Sequence, residues 1–469
     1  MMRKSMQSYI MQFDLSGFLM TATKRSDEAK DEILTKVKQE GVHFIEMQFS
    51  DILGMVKSVT IPVTKLERAM DEGVFIDGSS ILGYATIEES DMRANAILES
   101  FQIYPWTSNG SMKTARFMCT ISDHSGNRFK GDPRWVLEKM IDKAKQKGFI
   151  FNVGPEFEFF LFNIDERGSP IMEPADNGGY FDLMPLDKGE MVRKDIMLNF
   201  DAMHFDMEAS HHEVAPGQLE VDLRYQNALT MADRMMTLKL GVKTIAAQYG
   251  LYATFMPKPM FGVNGSGMHV HQSLSRMDGT NAFDDPDGKF GLSELSMKFL
   301  AGLLAHAQDN CAILASHVNS YKRLVPGYEA PCYISWANMN RSALIRVPAG
   351  RGGRTRVELR NPDPAGNPYL QFAVMLASGL DGVDNDMHPS EPVEKDIYHM
   401  SKDERKRMKI ESLPESLGDA LKIFSQSKLM NETLGEHIFS HYIHIKGKEW
   451  DGYRTWVTDW ERDHCLNVL

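Results

Sequence analysis

Four short segments of this chain alternate, residue by residue, between apolar side chains and side chains drawn almost wholly from Glu, Asp, His and Arg. In Gly154–Phe160 (GPEFEFF), Glu156 and Glu158 share one face of an extended strand and Phe157 and Phe159 share the other. In Gln218–Tyr225, Glu220, Asp222 and Arg224 alternate with Leu219, Val221 and Leu223. In Gly267–Leu274, His269, His271 and Ser273 share a face, and Arg356, Glu358 and Arg360 alternate with Val357 and Leu359. Any one of these fits a half-buried strand with a wet outer face. Solvated faces, however, usually carry Lys, Thr and Ser. Four strands with this chemistry, beside backbone that must approach closely at Asn264-Gly265-Ser266-Gly267, describe a sheet lining a charged cavity.

The cavity chemistry follows from the donor types. Glu156, Glu158, Glu213, Glu220 and Glu358 with His269 form an oxygen-rich set that selects Mg²⁺ or Mn²⁺ over zinc. So many carboxylates repel one another unless cations bind, so at least two metals per site are expected. Arg323, Arg341, Arg346, Arg356 and Arg360 supply the opposite charge. Arginines beside metals suit phosphoryl transfer, whose catalysis is mostly positioning and charge stabilisation. No P-loop and no GxGxxG motif precedes these residues.

At 469 residues the chain is too long for one ordinary compact domain. The net charge of −12 gives a nucleic-acid partner little support. Cys119, Cys311, Cys332 and Cys465 are too dispersed for a zinc site or a disulfide framework, and reduced thiols in a cytoplasm fit them. The opening twenty residues are too interrupted for a signal peptide, and no run of about 18 apolar residues supports a membrane span. We read 1–25 as an extension, 26–130 as a small α+β domain, and 131–469 as a larger domain mixing strands with long helices. Ser26 is the expected cap of a helix running to Glu40, and Asp132 with Pro133 starts another. Strands are expected at 42–49, 55–62 and 115–122, with helices at 64–72, 226–249, 292–316 and 367–380. The charged stretch 386–409 reads as a solvated loop and helix face.

The segments resemble the type I glutamine synthetase family. The matching stretches include DGSS at 77–80, IEESDM at 87–92, GPEFEFF at 154–160, HHEVAPGQLEV at 211–221 and NGSGMHVH at 264–271. They continue with NSYKRLVPGYEAP at 319–331, NRSALIRVP at 340–348 and RVELRNPDPAGNPYL at 356–370, in the family's order. The resemblance implies an N-terminal β-grasp-like domain and a large catalytic domain with a curved antiparallel sheet flanked by helices. It implies ATP-dependent ligation of ammonia to glutamate through γ-glutamyl phosphate, in a dodecamer of two hexameric rings with shared active sites. Glu158, Glu213 and Glu220 would hold one metal, and Glu156, His269 and Glu358 a second. Arg323 would bind the glutamate carboxylate, with Asn264 and Gly265 near its amino end. Arg341 and Arg360 would neutralise the transferred phosphoryl group. Glu208, His271 and Ser273 match nucleotide-contacting positions, with Arg346 and Arg356 near the phosphates. Asp77, reaching the site from the neighbouring subunit, would deprotonate ammonium beside Ser80 and Tyr180, and Glu329 would sit on a closing flap.

Three positions depart from the family pattern: Ser316-His317-Val318 before Asn319, Thr86 in place of an arginine linked to feedback, and a foreign context around Tyr398. They leave the chemistry intact and argue against covalent switching at Tyr398 or glutamine feedback through position 86. Arg68 and Arg93, near the Asp77 loop, read first as surface arginines; the sharper alternative is that they bind an acidic metabolite such as 2-oxoglutarate. Two rival readings are a γ-glutamyl ligase taking another amine, which intact Asp77 and Ser80 disfavour, and a non-enzymatic relative, which six intact metal ligands disfavour.

Overall fold

The computed structural model describes residues 15–84, 90–107 and 112–469. The N-terminal part is a sheet built from β1 (Phe44–Ser50), β2 (Val56–Pro62), β3 (Val74–Asp77), β4 (Asp91–Ala96), β5 (Gln102–Ile103) and β6 (Thr114–Ser122). The strand order is β2-β1-β6-β4-β3, with β5 also on β6. The pairing is antiparallel except between β1 and β6. Alternation in β1 turns Ile45 and Met47 inward, where they meet Phe117 and Ile121 of β6 and Ile33, Val37, Leu66 and Met70 from helices 15–40 and 66–72.

The larger sheet contains β7 (Phe149–Ile164), β8 (Pro170–Pro174), β9 (Met207–His212), β10 (Gln218–Leu223), β11 (Gln226–Asn227) and β12 (Leu251–Thr254). It is completed by β13 (Val270–Arg276), β14 (Trp336–Ala337), β15 (Ile345–Arg346) and β16 (Val357–Leu359). Its order is β14-β15-β16-β13-β7-β10-β9, with β8, β11 and β12 also on β7. Only β14 and β15 run parallel. One face, with Phe157, Phe159, Leu219 and Val221 fully buried, joins a core with helices 133–146, 228–248, 294–305 and 368–384. The other face carries the charged residues.

The small sheet is not a separate body. Ile52, Trp106 and Met118 belong to the large core, with the Trp106 ring 5.6 Å from Phe200. Asn367 caps helix 368–384 and donates to Asp51 O at 3.0 Å, while Gly54 passes too close to Asn367 for any side chain.

Several expectations are corrected. The first helix runs from Leu15, so Ser26 lies inside it; no glycine or proline stands between Phe18 and Ser26 to favour a break there. Asp132 does cap its helix, accepting from Arg134 N, with Pro133 at the first position. The expected helix 292–316 is interrupted: Glu294–Ala305 ends where His306 is drawn between Asp309 and Asp381, and a short turn resumes at Cys311. β3 and β4 escaped sequence reading because they carry too few alternating apolar residues to register. The stretch 386–409 is only partly solvated, since Val393, Ile397 and Met400 are buried. Thr86 and residues 87–89 of IEESDM lie outside the described residues, as do residues 1–14 of the N-terminal extension.

Candidate active site

Strand register assembles the charged face. Glu158 on β7 lies opposite Glu220 on β10, which lies opposite His211 on β9. One step along, Glu156 lies opposite Asp222, and across β13 and β16 His271 lies opposite Glu358, itself opposite Arg346. Directly opposed residues of an antiparallel pair project from the same face. The result is a cavity of about 830 Å³ lined by Glu156, Glu158, Glu213, Glu220, His269, Asn264, Gly265, Arg323, Glu329, Arg341, Arg346, Arg360 and Tyr180. A second cavity of about 570 Å³ is lined by Glu208, His271, Ser273 and Arg356 and shares Glu156 and Asp222 with the first.

The ligand atoms of Glu156, His269 and Glu358 lie within 4.8 Å of one another, as the second metal set requires. His269 Nδ1 is 2.7 Å from Glu156 Oε2, and His271 Nε2 is 2.9 Å from Oε1. Burial works against ionising Glu156, but these two imidazoles hold its carboxyl well below the ordinary range. Glu358 is fully buried and accepts from Arg346 Nε at 2.6 Å and Arg360 at 2.7 Å. Burial, with Arg360 beside it, pushes His269 down to about 4, so the ring is neutral and able to ligate.

Glu158, Glu213 and Glu220 behave differently. Burial, reinforced by Glu213 and Glu220, raises the Glu158 carboxyl well above the ordinary range, and burial with Asp222 and Glu156 raises Glu220. Gln218 Nε2 and Gly267 N both donate to one Glu158 oxygen, at 2.7 and 3.0 Å, leaving the other directed to neighbours. Crowded, buried carboxylates with too few counter-charges are the donor set that a hard divalent cation fits. Glu220 also groups with His211 and Asp222, all three offering ligand atoms within 4.8 Å.

The backbone fixes the remaining parts. Arg323 is buried and donates to the carbonyls of Arg360, Asn361 and Pro362 at 3.0–3.2 Å. A side chain at Gly267 would strike its guanidinium, and one at Gly265 would strike Pro257 O, which explains both glycines. Glu213 and Tyr180 hang from one buried pair: His212 contacts Asp176 at 3.0 Å and Glu213 O at 2.6 Å. Asp176 also accepts from Gly178, Lys188 and Gly217 backbone amides. Phe181 N donates to His212 O at 3.0 Å, fixing the loop that bears Tyr180.

Asp77 and Ser80 line neither cavity of this chain. Asp77 is exposed, accepting from Ser79 N and Oγ at 2.9 and 2.7 Å, and these bonds hold its carboxyl below the ordinary range. Arg68 is paired with Glu72, and Arg93 lies over the Phe75 ring at 4.2 Å while donating to Glu72 O. Sequence reasoning gave no role to His211, Gln218, Asp222, Asp396 or Tyr398, which all line the first cavity. Asp222 was legible in its strand alternation. Asp396 and Tyr398 were hidden in a charged stretch, where the spacing of Val393, Ile397 and Met400 was the available signal.

Comparison with known proteins adds an independent line. Residues 41–124 match the family described as "Glutamine synthetase, beta-Grasp domain" and residues 130–465 that described as "Glutamine synthetase, catalytic domain". A glutamine synthetase of Staphylococcus aureus (strain MRSA252) is 50% identical over 438 residues, covering 93% of this chain and 98% of its own. One from Staphylococcus epidermidis is 49% identical over the same span. Two solved structures, "GmaS/ADP complex-Conformation 1" and "Apo GmaS without ligand", are each 31% identical, with TM-scores of 0.85 and 0.84. Each covers 93% of this chain and 99% of its own.

Proposed function

The chain belongs to the glutamine synthetase family, and from that membership we propose that it ligates ammonia to the γ-carboxylate of L-glutamate with ATP, through γ-glutamyl phosphate. The observation that carries this reading is the pair of adjoining cavities that share Glu156 and Asp222. The cavity with Glu208, His271, Ser273 and Arg356 takes ATP; a related solved structure of the same fold is an ADP complex. The cavity with Arg323, Asn264 and Gly265 takes glutamate, so the γ-phosphate meets the γ-carboxylate at the shared wall.

Mg²⁺ or Mn²⁺ held by Glu156, His269 and Glu358, and by Glu158, Glu213 and Glu220, would neutralise phosphate charge and orient the reacting oxygens. Arg341 and Arg360 face the same space and offset charge on the transferred phosphoryl group. Arg323, fixed by three carbonyls, presents its remaining donor capacity to the substrate carboxylate. Asp77, ionised across the neutral range, attracts ammonium and takes its proton as the C–N bond forms. Glu329 closes the cavity and excludes the water that would hydrolyse the acyl phosphate.

Asp77 acts from a neighbouring copy in this reading. It is exposed and away from the cavities, flanked by exposed Phe75 and Leu82, while the cavity rim exposes Tyr180, Phe181 and Leu183. Apolar surface on both sides is what an interface between copies buries. A dodecamer of two hexameric rings is the proposed assembly and the cytoplasm the proposed location. No helix among the described residues is long and apolar enough to cross a membrane.

The test is ADP release with glutamate, Mg²⁺ and ATP, comparing ammonium with methylamine, ethylamine and polyamines. Ammonium is expected to support the fastest turnover and glutamine to be the product. Preference for an amine would replace ammonia with that amine as the substrate.

A further inference from the structure

The stretch 393–400 touches two loops of the site at once. Asn340 Nδ2 donates to Val393 O at 3.0 Å and Lys395 O at 2.6 Å, Asn338 N donates to Glu394 at 2.7 Å, and Ile397 N donates to Ser342 Oγ at 3.3 Å. These bonds fasten the 338–342 loop, which carries Arg341. From the same stretch the Tyr398 hydroxyl donates to Ala330 O at 2.7 Å, one residue beyond Glu329.

We propose that Tyr398 is a positioning residue for the flap, its hydroxyl latching the Ala330 carbonyl so that Glu329 covers the first cavity while the acyl phosphate awaits ammonia. This rests on the reading of that cavity given above. The flap cannot hold this shape unaided. Gly327 and Glu329 both have left-handed backbone, at φ 95° and 58°, and among the described residues no backbone–backbone hydrogen bond closes 326–331. A non-glycine residue at positive φ persists only when its surroundings fix it. Four contacts do so. Lys258 Nζ lies over the Tyr328 ring at 3.8 Å, Asn264 Nδ2 reaches Glu329 at a long 3.4 Å, Cys332 Sγ donates weakly to Ala330 O at 3.5 Å, and Tyr398 grips the same carbonyl.

Of the four, two act on the backbone, and the Tyr398 bond at 2.7 Å is the short one, from a stronger donor than the Cys332 thiol. Burial pushes its phenol up, so it remains a donor throughout the working pH range. Ile397 is fully buried, and Tyr398 N is itself held by Asp396 at 3.0 Å, so the hydroxyl sits on a fixed mount. Because that mount also fastens the Arg341 loop, flap closure and phosphoryl neutralisation share one support.

If the latch is lost, the open flap admits water. Water adds to the acyl carbon, phosphate leaves, and glutamate is regenerated, so the net reaction is hydrolysis of ATP to ADP and phosphate. Tyr398→Phe keeps the ring and deletes the donor. With glutamate and ammonium supplied, ATP hydrolysed in excess of amide formed is expected to rise about fivefold over wild type, the effect of one neutral hydrogen bond on an open–closed balance. KM for ATP is expected to stay constant. A purely structural role would lower the melting temperature and leave the ratio of ATP to amide unchanged, and that result overturns the proposal. Glu329→Ala is measured alongside. If it leaks while Tyr398→Phe stays coupled, the latch is wrong and the flap reading stands; if neither leaks, both fall.

Discussion

Among the site residues, Glu158 and Glu358 illustrate two ways of holding a buried carboxylate. Glu358 is neutralised by Arg346 and Arg360, whereas Glu158 faces Glu213 and Glu220 and is pushed toward its protonated form. Removing either is expected to lower synthesis at least about 100-fold, as for a lost metal ligand or its support. Only Glu358→Ala should also cost stability, about 3–5 kcal/mol, because it strands buried guanidinium charge. Turnover at saturating Mg²⁺ and melting curves of both variants separate the two effects. A second expectation follows from the raised carboxyls of Glu158, Glu213 and Glu220. A cation competes with protons for carboxyls raised in this way, so Mg²⁺ binding is expected to release protons and to tighten as pH rises. Calorimetry in buffers of different ionisation enthalpy detects this, and pH-independent binding with no proton release would contradict it. The carboxylates were legible in sequence because strand alternation exposes them. His211 and Gln218 were not, since their proximity comes from β9 and β10 pairing, which the sequence does not spell out.

Elements were legible where a local signal set their ends. Asp132 caps its helix as expected, and the expected helix starts at 292 and 367 fall within two residues of the observed ones, where Ser293 and Asn367 turn out to be the caps. The break after Ala305 was not legible, because its cause is the distant Asp381. His306 Nε2 lies 2.8 Å from Asp381 and Nδ1 lies 3.2 Å from Asp309, joining helix 368–384 to the end of helix 294–305. Burial lowers the His306 pKa, but the two carboxylates outweigh it and raise the folded value above 6.5. The stability this group adds is therefore fully present below the unfolded value, about 6.5, and fades as pH rises through the raised folded value. His306→Gln should depress the melting temperature most near pH 6 and least near pH 9. A penalty equal at both ends would show that His306 acts by packing alone. The Asp176–His212 pair gives a parallel case within the site. Asp176→Asn should loosen Glu213 and Tyr180 together, raising the Mg²⁺ concentration needed for half-maximal activity several-fold; an unchanged requirement would separate Glu213 from this support.

For the whole molecule, the informative fact is that Asp77 is absent from the cavities of its own chain. Asp77→Ala is expected to retain metal and ATP binding and lose about 10²–10⁴-fold in ammonium-dependent turnover, the range for a missing general base. Reassembly of Asp77→Ala with Glu358→Ala subunits should restore part of the activity, because some interfaces then pair an intact Asp77 with an intact metal site. Mixed assemblies that stay inactive would place Asp77 outside the shared site. The proposed donation of Asp77 between subunits has no trace in strand periodicity; family resemblance alone implies it.

β7 runs for sixteen residues and carries Glu156 and Glu158 two positions apart. Two residues of pleated strand span about 6.6 Å, so the interval between the two carboxylates is graduated by backbone rather than by side-chain choice. Such a strand is a ruler that mutation cannot easily restretch, because shifting its register by one residue would turn every glutamate into the core. A change in what the cavity accepts is thereby left to its rim, to the loops bearing Tyr180, Glu329 and Asp396, while the spacing of the two carboxylates stays with the strand.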